Sequence, residues 1–313
     1  MSEKKATREA YGEALAEFGA QYDFVVLDAD LSKSTKTDTF KKVYPDRFIN
    51  MGIAEANMMT TAAGIATTGK TVFASSFAVF ASGRAFEQIR NSIAYPHLNV
   101  KIGATHAGIS VGEDGPTHQS IEDIGLMRTL PGMTIISPAD ATESRAAVKA
   151  ALDNDGPFYL RFGRLSVPQI FDSSYKFELG KGVVLSSGTD VTIVATGLML
   201  QEAIEAGKLL AAQGVSAEVI NIHTIKPIDT ELLVRSAAKT GAVVTAEEHT
   251  IYGGLGSAVA EVLCENMPVP MTRVGIMDKF GKSGKPAPLL KMYGLTAENI
   301  ASKALETIQR KNA

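Results

Sequence analysis

The sequence predicts an α/β protein built from two parallel-sheet-based domains. Three observations carry this. Short apolar or β-branched runs alternate with helical patterns along most of the chain. The alternation pauses in a Pro-, Gly- and Ser-bearing stretch near residues 168–188 and then restarts. A polar loop with three glycines and two histidines follows one apolar run, at the strand end where open parallel sheets bind ligands.

In chain order, residues 7–18 have apolar positions at helical spacing, with Thr7 expected as the N-cap. Runs 24–27, 71–74, 100–104, 134–136 and 158–160 read as buried strands. Between them, 48–51 is extended, 54–67 is an Ala- and Met-rich helix, and Pro138 marks a turn before a helix start. Residues 1–172 form the first expected domain, 173–188 a linker, and 189–313 a second, smaller domain. In the latter, strands at 191–194, 217–221 and 242–245 alternate with helices at 200–213 and 230–238. A glycine turn at 253–256 opens a helix through residue 263.

Composition sets outer limits. At 313 residues, 45% hydrophobic and 21% charged, the chain can bury two cores. A formal net charge of −3 gives no electrostatic case for nucleic acid or an anionic membrane surface. The single cysteine, Cys264, lies in an apolar helical stretch and is expected to be buried. One thiol excludes an internal disulfide, and no zinc spacing occurs, so no metal ligand is assigned. The start, Met-Ser-Glu-Lys-Lys, carries no apolar signal region, and no run is long enough to span a bilayer. A cytoplasmic enzyme or enzyme subunit is expected.

The chemistry-bearing residues cluster in a few motifs. His106 and His118 bracket the loop containing Gly108, Gly112 and Gly115. Those glycines allow backbone angles that fold His106, Asp114 and His118 around one small polar molecule. Glu55 opens the helix after Gly52-Ile-Ala. Two readings stand for it: a carboxylate compensating a helix dipole, or a buried acid sharing a proton with a ligand base. Phe77 and Phe80 fill a core or stack on a cofactor. Arg8, Ser34, Arg161 and Arg164 are surface groups or an anion site. Arg161 and Arg164 gain weight from lying just past a strand end. His97 and His223 read as structural. Glu247-Glu248-His249 sits at a strand end without an assigned role. Gly254-x-Gly256 is an incomplete dinucleotide fingerprint.

The order of these motifs adds a resemblance. Asp28-Ala-Asp-Leu-Ser, Gly52-Ile-Ala-Glu-Ala-Asn-Met, Ser76-Phe-Ala-Val-Phe and Gly112-Glu-Asp-Gly-Pro-Thr-His-Gln together resemble the pyrimidine-binding domain of transketolase. Val191-Thr-Ile-Val-Ala-Thr-Gly and Asn221-Ile-His-Thr-Ile-Lys-Pro resemble its C-terminal domain. A Gly-Asp-Gly diphosphate signature is absent, so the chain is similar to the C-terminal subunit of a split transketolase. The resemblance implies thiamine diphosphate and Mg2+ or another divalent cation. Both would be held mainly by a separate N-terminal subunit, in an α2β2 assembly of the pentose phosphate pathway.

Residue by residue, the resemblance makes Glu55 the acid at the pyrimidine ring nitrogen, with Phe77 and Phe80 packing on that ring. Asp30 falls in the cofactor and subunit-interface region. His106 and His118 contact substrate and transfer protons, and Asp114 binds a substrate hydroxyl. Arg8, Ser34 and Arg164 meet a sugar-phosphate tail, with Arg161 as the fallback. Rival readings are a deoxyxylulose-phosphate synthase, which shares a run like Arg84-Ala-Phe-Glu-Gln, and the β subunit of a 2-oxo acid dehydrogenase. A third is a non-catalytic scaffolding or regulatory subunit.

Overall fold

The computed structural model describes residues 4–311. Residues 1–3, on which the expectation of a start without an apolar signal region partly rests, and residues 312–313 lie outside the described residues. Among the described residues, no helix is long and apolar enough to cross a membrane.

The strands are β1 (Lys4–Ala6), β2 (Phe24–Asp28), β3 (Phe48–Asn50), β4 (Thr71–Phe77), β5 (Val100–Thr105), β6 (Thr134–Ile136), β7 (Phe158–Arg161), β8 (Ser166–Pro168), β9 (Val183–Ser186), β10 (Val191–Ala195), β11 (Ala217–Asn221), β12 (Thr224–Lys226), β13 (Val243–Thr250) and β14 (Met271–Ile276). The first sheet has seven strands in the order β12-β6-β7-β5-β4-β2-β3. All its pairings are parallel except β12 with β6. The second has five, in the order β14-β13-β10-β11-β9, with only β9 antiparallel. A two-stranded ribbon joins β1 to β8.

Strand β5 shows why the apolar runs were readable. All six of its residues are buried, as in a central strand covered on both faces. Gly103 on β5 is a packing requirement: a Cβ there would collide with the Tyr11 hydroxyl of the helix Thr7–Phe18. That hydroxyl hydrogen-bonds Ser75 Oγ of β4 at 2.6 Å, tying helix to sheet. Ser75 and Ser76 are both fully buried, so β4 runs three residues past its apolar stretch.

Several expectations are corrected. Thr7 is the first helical residue rather than the N-cap; Ala6 takes the cap position, and Glu9 Oε2 accepts its N–H at 3.3 Å. The Thr7 hydroxyl accepts the Gly163 N–H at 2.8 Å instead. Cys264 is exposed, because the buried positions of the helix Leu255–Asn266 leave it on the outer face. Residues 173–188, expected only to link, also supply β9. Beyond residue 263, where the sequence pattern assigns nothing, lie β14 and the helices Pro286–Met292 and Ala297–Lys311. Strand β12 follows the second domain's β11 in sequence yet pairs into the first sheet.

Candidate active site

The parallel strands of the first sheet end along one edge, where Asp28 pairs with Ser75 and Asn50, Phe77 with Thr105, and Ala104 with Arg161. Every predicted site residue except Arg8 follows or ends one of these strands. Arg8 joins them because its helix starts beside Gly163, just past β7.

One half of the site is an aromatic and acidic wall. The Phe77 ring stacks on the His106 imidazole with centroids 3.8 Å apart and lies 5.8 Å from Phe80 at 12°. His118 meets Phe80 edge-on at 5.3 Å. Residues Phe80–Arg84 wind as a π-helical turn, a geometry common at functional sites. The Arg84 guanidinium lies over the Phe80 ring at 4.3 Å and approaches both Glu55 oxygens at 3.4 Å. Glu55 is only 4% exposed. Its contact to Arg84 is longer than a tight charge-assisted bond, about 2.7–2.9 Å, which leaves acceptor capacity for a ligand N–H.

The other half is cationic. Arg8 Nη1 donates to the Ser34 carbonyl oxygen at 2.6 Å, while Arg8 Nε is buried without a protein partner. Burial, then the nearby Arg164 charge, lowers the Arg8 pKa, with Glu9 opposing. Arg164 donates to the Val111 carbonyl oxygen and lies 3.7 Å from Glu113 and 4.0 Å from Asp114. The halves meet at His106. Burial, helped by the charges of Arg8, Arg164, His118 and Lys36, pushes its pKa down to about 3. His106 is therefore a neutral ring at physiological pH. Its Nδ1 pairs with Thr105 Oγ1 at 2.9 Å. The backbone there has φ +58°, a left-handed conformation unusual for a residue with a side chain.

The structure thus brings Glu55, Phe77, Phe80, His106 and His118 into one wall, with Arg8, Ser34, Asp114 and Arg164 beside it. Two candidates stand apart. Asp30 is exposed and accepts from Asn50 Nδ2 at 2.9 Å. Arg161 is buried against Asp123, with Nε to Oδ2 at 2.8 Å and Nη2 to Oδ1 at 3.2 Å. That bidentate pair occupies its fork and leaves Arg164 as the cation facing the loop.

Sequence reasoning missed three supports. Asp28 is fully buried and accepts from Leu31 N, Thr35 Oγ1 and Thr37 Oγ1 at 2.6, 2.6 and 2.9 Å, which shapes the turn that presents Ser34. Its place in the Asp28-Ala-Asp motif was the available signal. Arg84 stood in the Arg84-Ala-Phe-Glu-Gln run without a site role, and Lys36 was hidden among ordinary surface charges.

Comparison with known proteins agrees with this geometry. Residues 3–169 match the family described as "Transketolase, pyrimidine binding domain", and residues 180–300 match "Transketolase, C-terminal domain". A chain of Methanocaldococcus jannaschii described as a transketolase C-terminal section is 51% identical over 98% of this chain and 97% of its own. A 6-deoxy-6-sulfo-D-fructose transketolase subunit of Clostridium is 47% identical, covering 97% of this chain and 95% of its own. Human transketolase is 39% identical over 96% of this chain, which spans 49% of that protein. Among solved structures, a split-gene transketolase in an inactive β4 tetramer superposes with TM-score 0.92 at 57% identity, covering 98% of this chain and 99% of that one. Two domain matches in the expected order, together with these likenesses along nearly the full length, establish that the chain belongs to the transketolase family.

Proposed function

We propose that this chain is the pyrimidine-binding and C-terminal subunit of a two-chain transketolase that moves a two-carbon ketol unit from a ketose phosphate to an aldose phosphate. The observation that carries the reading is the continuous wall from Glu55 through Phe80 and Phe77 to His106, with a cationic patch at its far end. The likeness to chains described as a transketolase section or subunit, nearly end to end, favours a separate diphosphate-binding partner. On this reading the assembly is α2β2, works in the cytoplasm within the pentose phosphate pathway, and carries a divalent cation on the partner's side.

The residues present fit thiamine diphosphate: a buried carboxylate with spare acceptor capacity stands beside two ring faces. Bound there, the cofactor supplies the nucleophilic carbon that protein side chains lack. Glu55 holds a proton at the pyrimidine ring nitrogen, and burial keeps water from competing for it. Phe77 and Phe80 fix the ring plane. Neutral His106 binds sugar hydroxyls without adding charge, and half-buried His118 exchanges protons with them. Exposed Asp114 accepts a sugar hydroxyl, and Arg8 and Arg164, with the Ser34 turn, bind the anionic tail. Asp30 belongs to the subunit-contact region.

A second substrate reading has its own support. A tetrahedral sulfonate suits the same two guanidinium groups, and the Clostridium relative carries a sulfosugar name. Purified alone, the chain is expected to be inactive. With its diphosphate-binding partner, thiamine diphosphate and magnesium, it is expected to transfer ketol groups. Activity of the lone chain would overturn the two-chain reading, and competition between phosphorylated and sulfonated ketoses would rank the tails.

A further inference from the structure

The triplet Glu247-Glu248-His249 at the end of β13 has no part in the chemistry above, yet all three side chains are buried. Each anchors a different backbone segment. Glu247 accepts the N–H groups of Leu255 and Gly256 at 2.7 and 2.8 Å, holding the start of the helix Leu255–Asn266. His249 Nδ1 donates to the Thr250 carbonyl oxygen at 2.7 Å, and its Nε2 accepts the Gly125 N–H at 3.3 Å. Glu248 instead reaches out of the second sheet into the histidine loop of the first. Its Oε1 accepts the Ser110 N–H at 2.6 Å, across 138 positions of sequence.

The surroundings are built for that contact. Gly108 has φ +81°, and a Cβ there would collide with the Glu248 carboxylate. Gly108 N donates to the Ser120 carbonyl oxygen at 2.7 Å, so the two ends of the loop close on each other beside the carboxylate. Arg161, already fixed by Asp123, donates to the Glu248 carbonyl oxygen at 2.9 Å and holds the backbone that carries the acid. Gln119 adds a second tie, donating to the carbonyl oxygens of Ile109 at 3.1 Å and Lys282 at 2.9 Å. From Ser110 the chain runs four residues back to His106, whose left-handed backbone needs an over-determined setting to persist.

We propose that Glu248 is a positioning residue for substrate binding: from the C-terminal domain it clamps the 108–112 segment and so holds His106 and Asp114 in register with the anion-binding arginines. This rests on the transketolase reading only for the identity of the substrate; the clamp itself is independent of it. The C-terminal domain then has a definite task at the site.

The test uses the reconstituted two-chain enzyme with E248Q, E248D and E248A, and two readouts. Glutamine keeps the volume and an acceptor oxygen, so E248Q should behave as wild type. In E248A, amide hydrogen exchange across residues 106–112 should accelerate at least about tenfold, with helix Leu255–Asn266 unchanged, and KM for the ketose should rise about tenfold with a smaller change in kcat. E248D, which withdraws the oxygen by one methylene, should move both readouts the same way and carries the test if E248A does not fold. Unchanged loop exchange in the alanine or aspartate variant overturns the clamp. So does acceleration spread equally over the helix, which marks general loosening. Inactivity of the wild-type pair would count against the transketolase reading alone, because exchange is read without turnover.

Discussion

Glu55 concentrates the case at the scale of single residues. It is a carboxylate removed from water, met by one exposed arginine at 3.4 Å and otherwise free to accept. If it controls the proton of a bound base, Glu55→Ala should lower kcat by about 10²–10⁴-fold, the usual worth of a positioned acid or base, with the two-chain assembly intact by sedimentation. Unchanged turnover would remove Glu55 from the mechanism. The sequence made this residue visible as a lone charge amid Ala, Ile, Met and Gly, but left its burial open. It could not show Arg84, because only the π-helical turn aligns Phe80, Arg84 and Glu55. The histidine loop was legible from its glycines. Glu248 was not, because its partner is distant in sequence and a glutamate in a strand looks the same whether it faces solvent or a loop.

Among the elements, β12 is one of several three-residue strands and the least expected of them. Its three residues were unreadable as a strand, since pairing with β6 depends on the other domain's arrival. Lys226 on β12 donates to the carbonyl oxygens of Arg128 and Leu130 at 2.8 and 2.6 Å, at the end of the helix Asp123–Arg128. A cation is favoured there by the helix dipole. Lys226→Met should leave both carbonyls short of a partner and cost about 1–3 kcal/mol in chemical denaturation. A midpoint unchanged from wild type would show that water replaces the lysine at no cost. By contrast, β5 and β10 were legible within a residue because they are buried on both faces and read as continuous apolar runs. Strand β4 was cut short in the reading because its buried Ser75 and Ser76 look like a loop. Ser75 is matched by Tyr11 arriving from a different helix.

Across the whole molecule, buried titratable groups set how stability follows pH. His223 is fully buried, packs against the Phe177 ring with centroids 4.1 Å apart at a 32° tilt, and has an Nε2 without a protein partner. Burial, opposed by Asp229, pushes its pKa down to about 4. Below about pH 6.5 the unfolded chain therefore binds a proton that the folded chain refuses, and stability is lost as pH falls. Glu143 runs the other way, since burial raises its pKa to about 7 and its contribution grows as pH falls. Comparison with a His223→Gln variant isolates the histidine. Between pH 6.5 and 5, wild type should lose about 1 kcal/mol per pH unit relative to the variant in urea unfolding. Parallel curves would mean that His223 titrates normally in the fold. The crossing of β12 into the first sheet has a practical consequence. A fragment ending near residue 172 would leave β6 with an open apolar edge, an invitation to pair with another copy. For expression or for fusion to a reporter, the chain should be handled as one piece and joined at its termini, because its midpoint is already stitched.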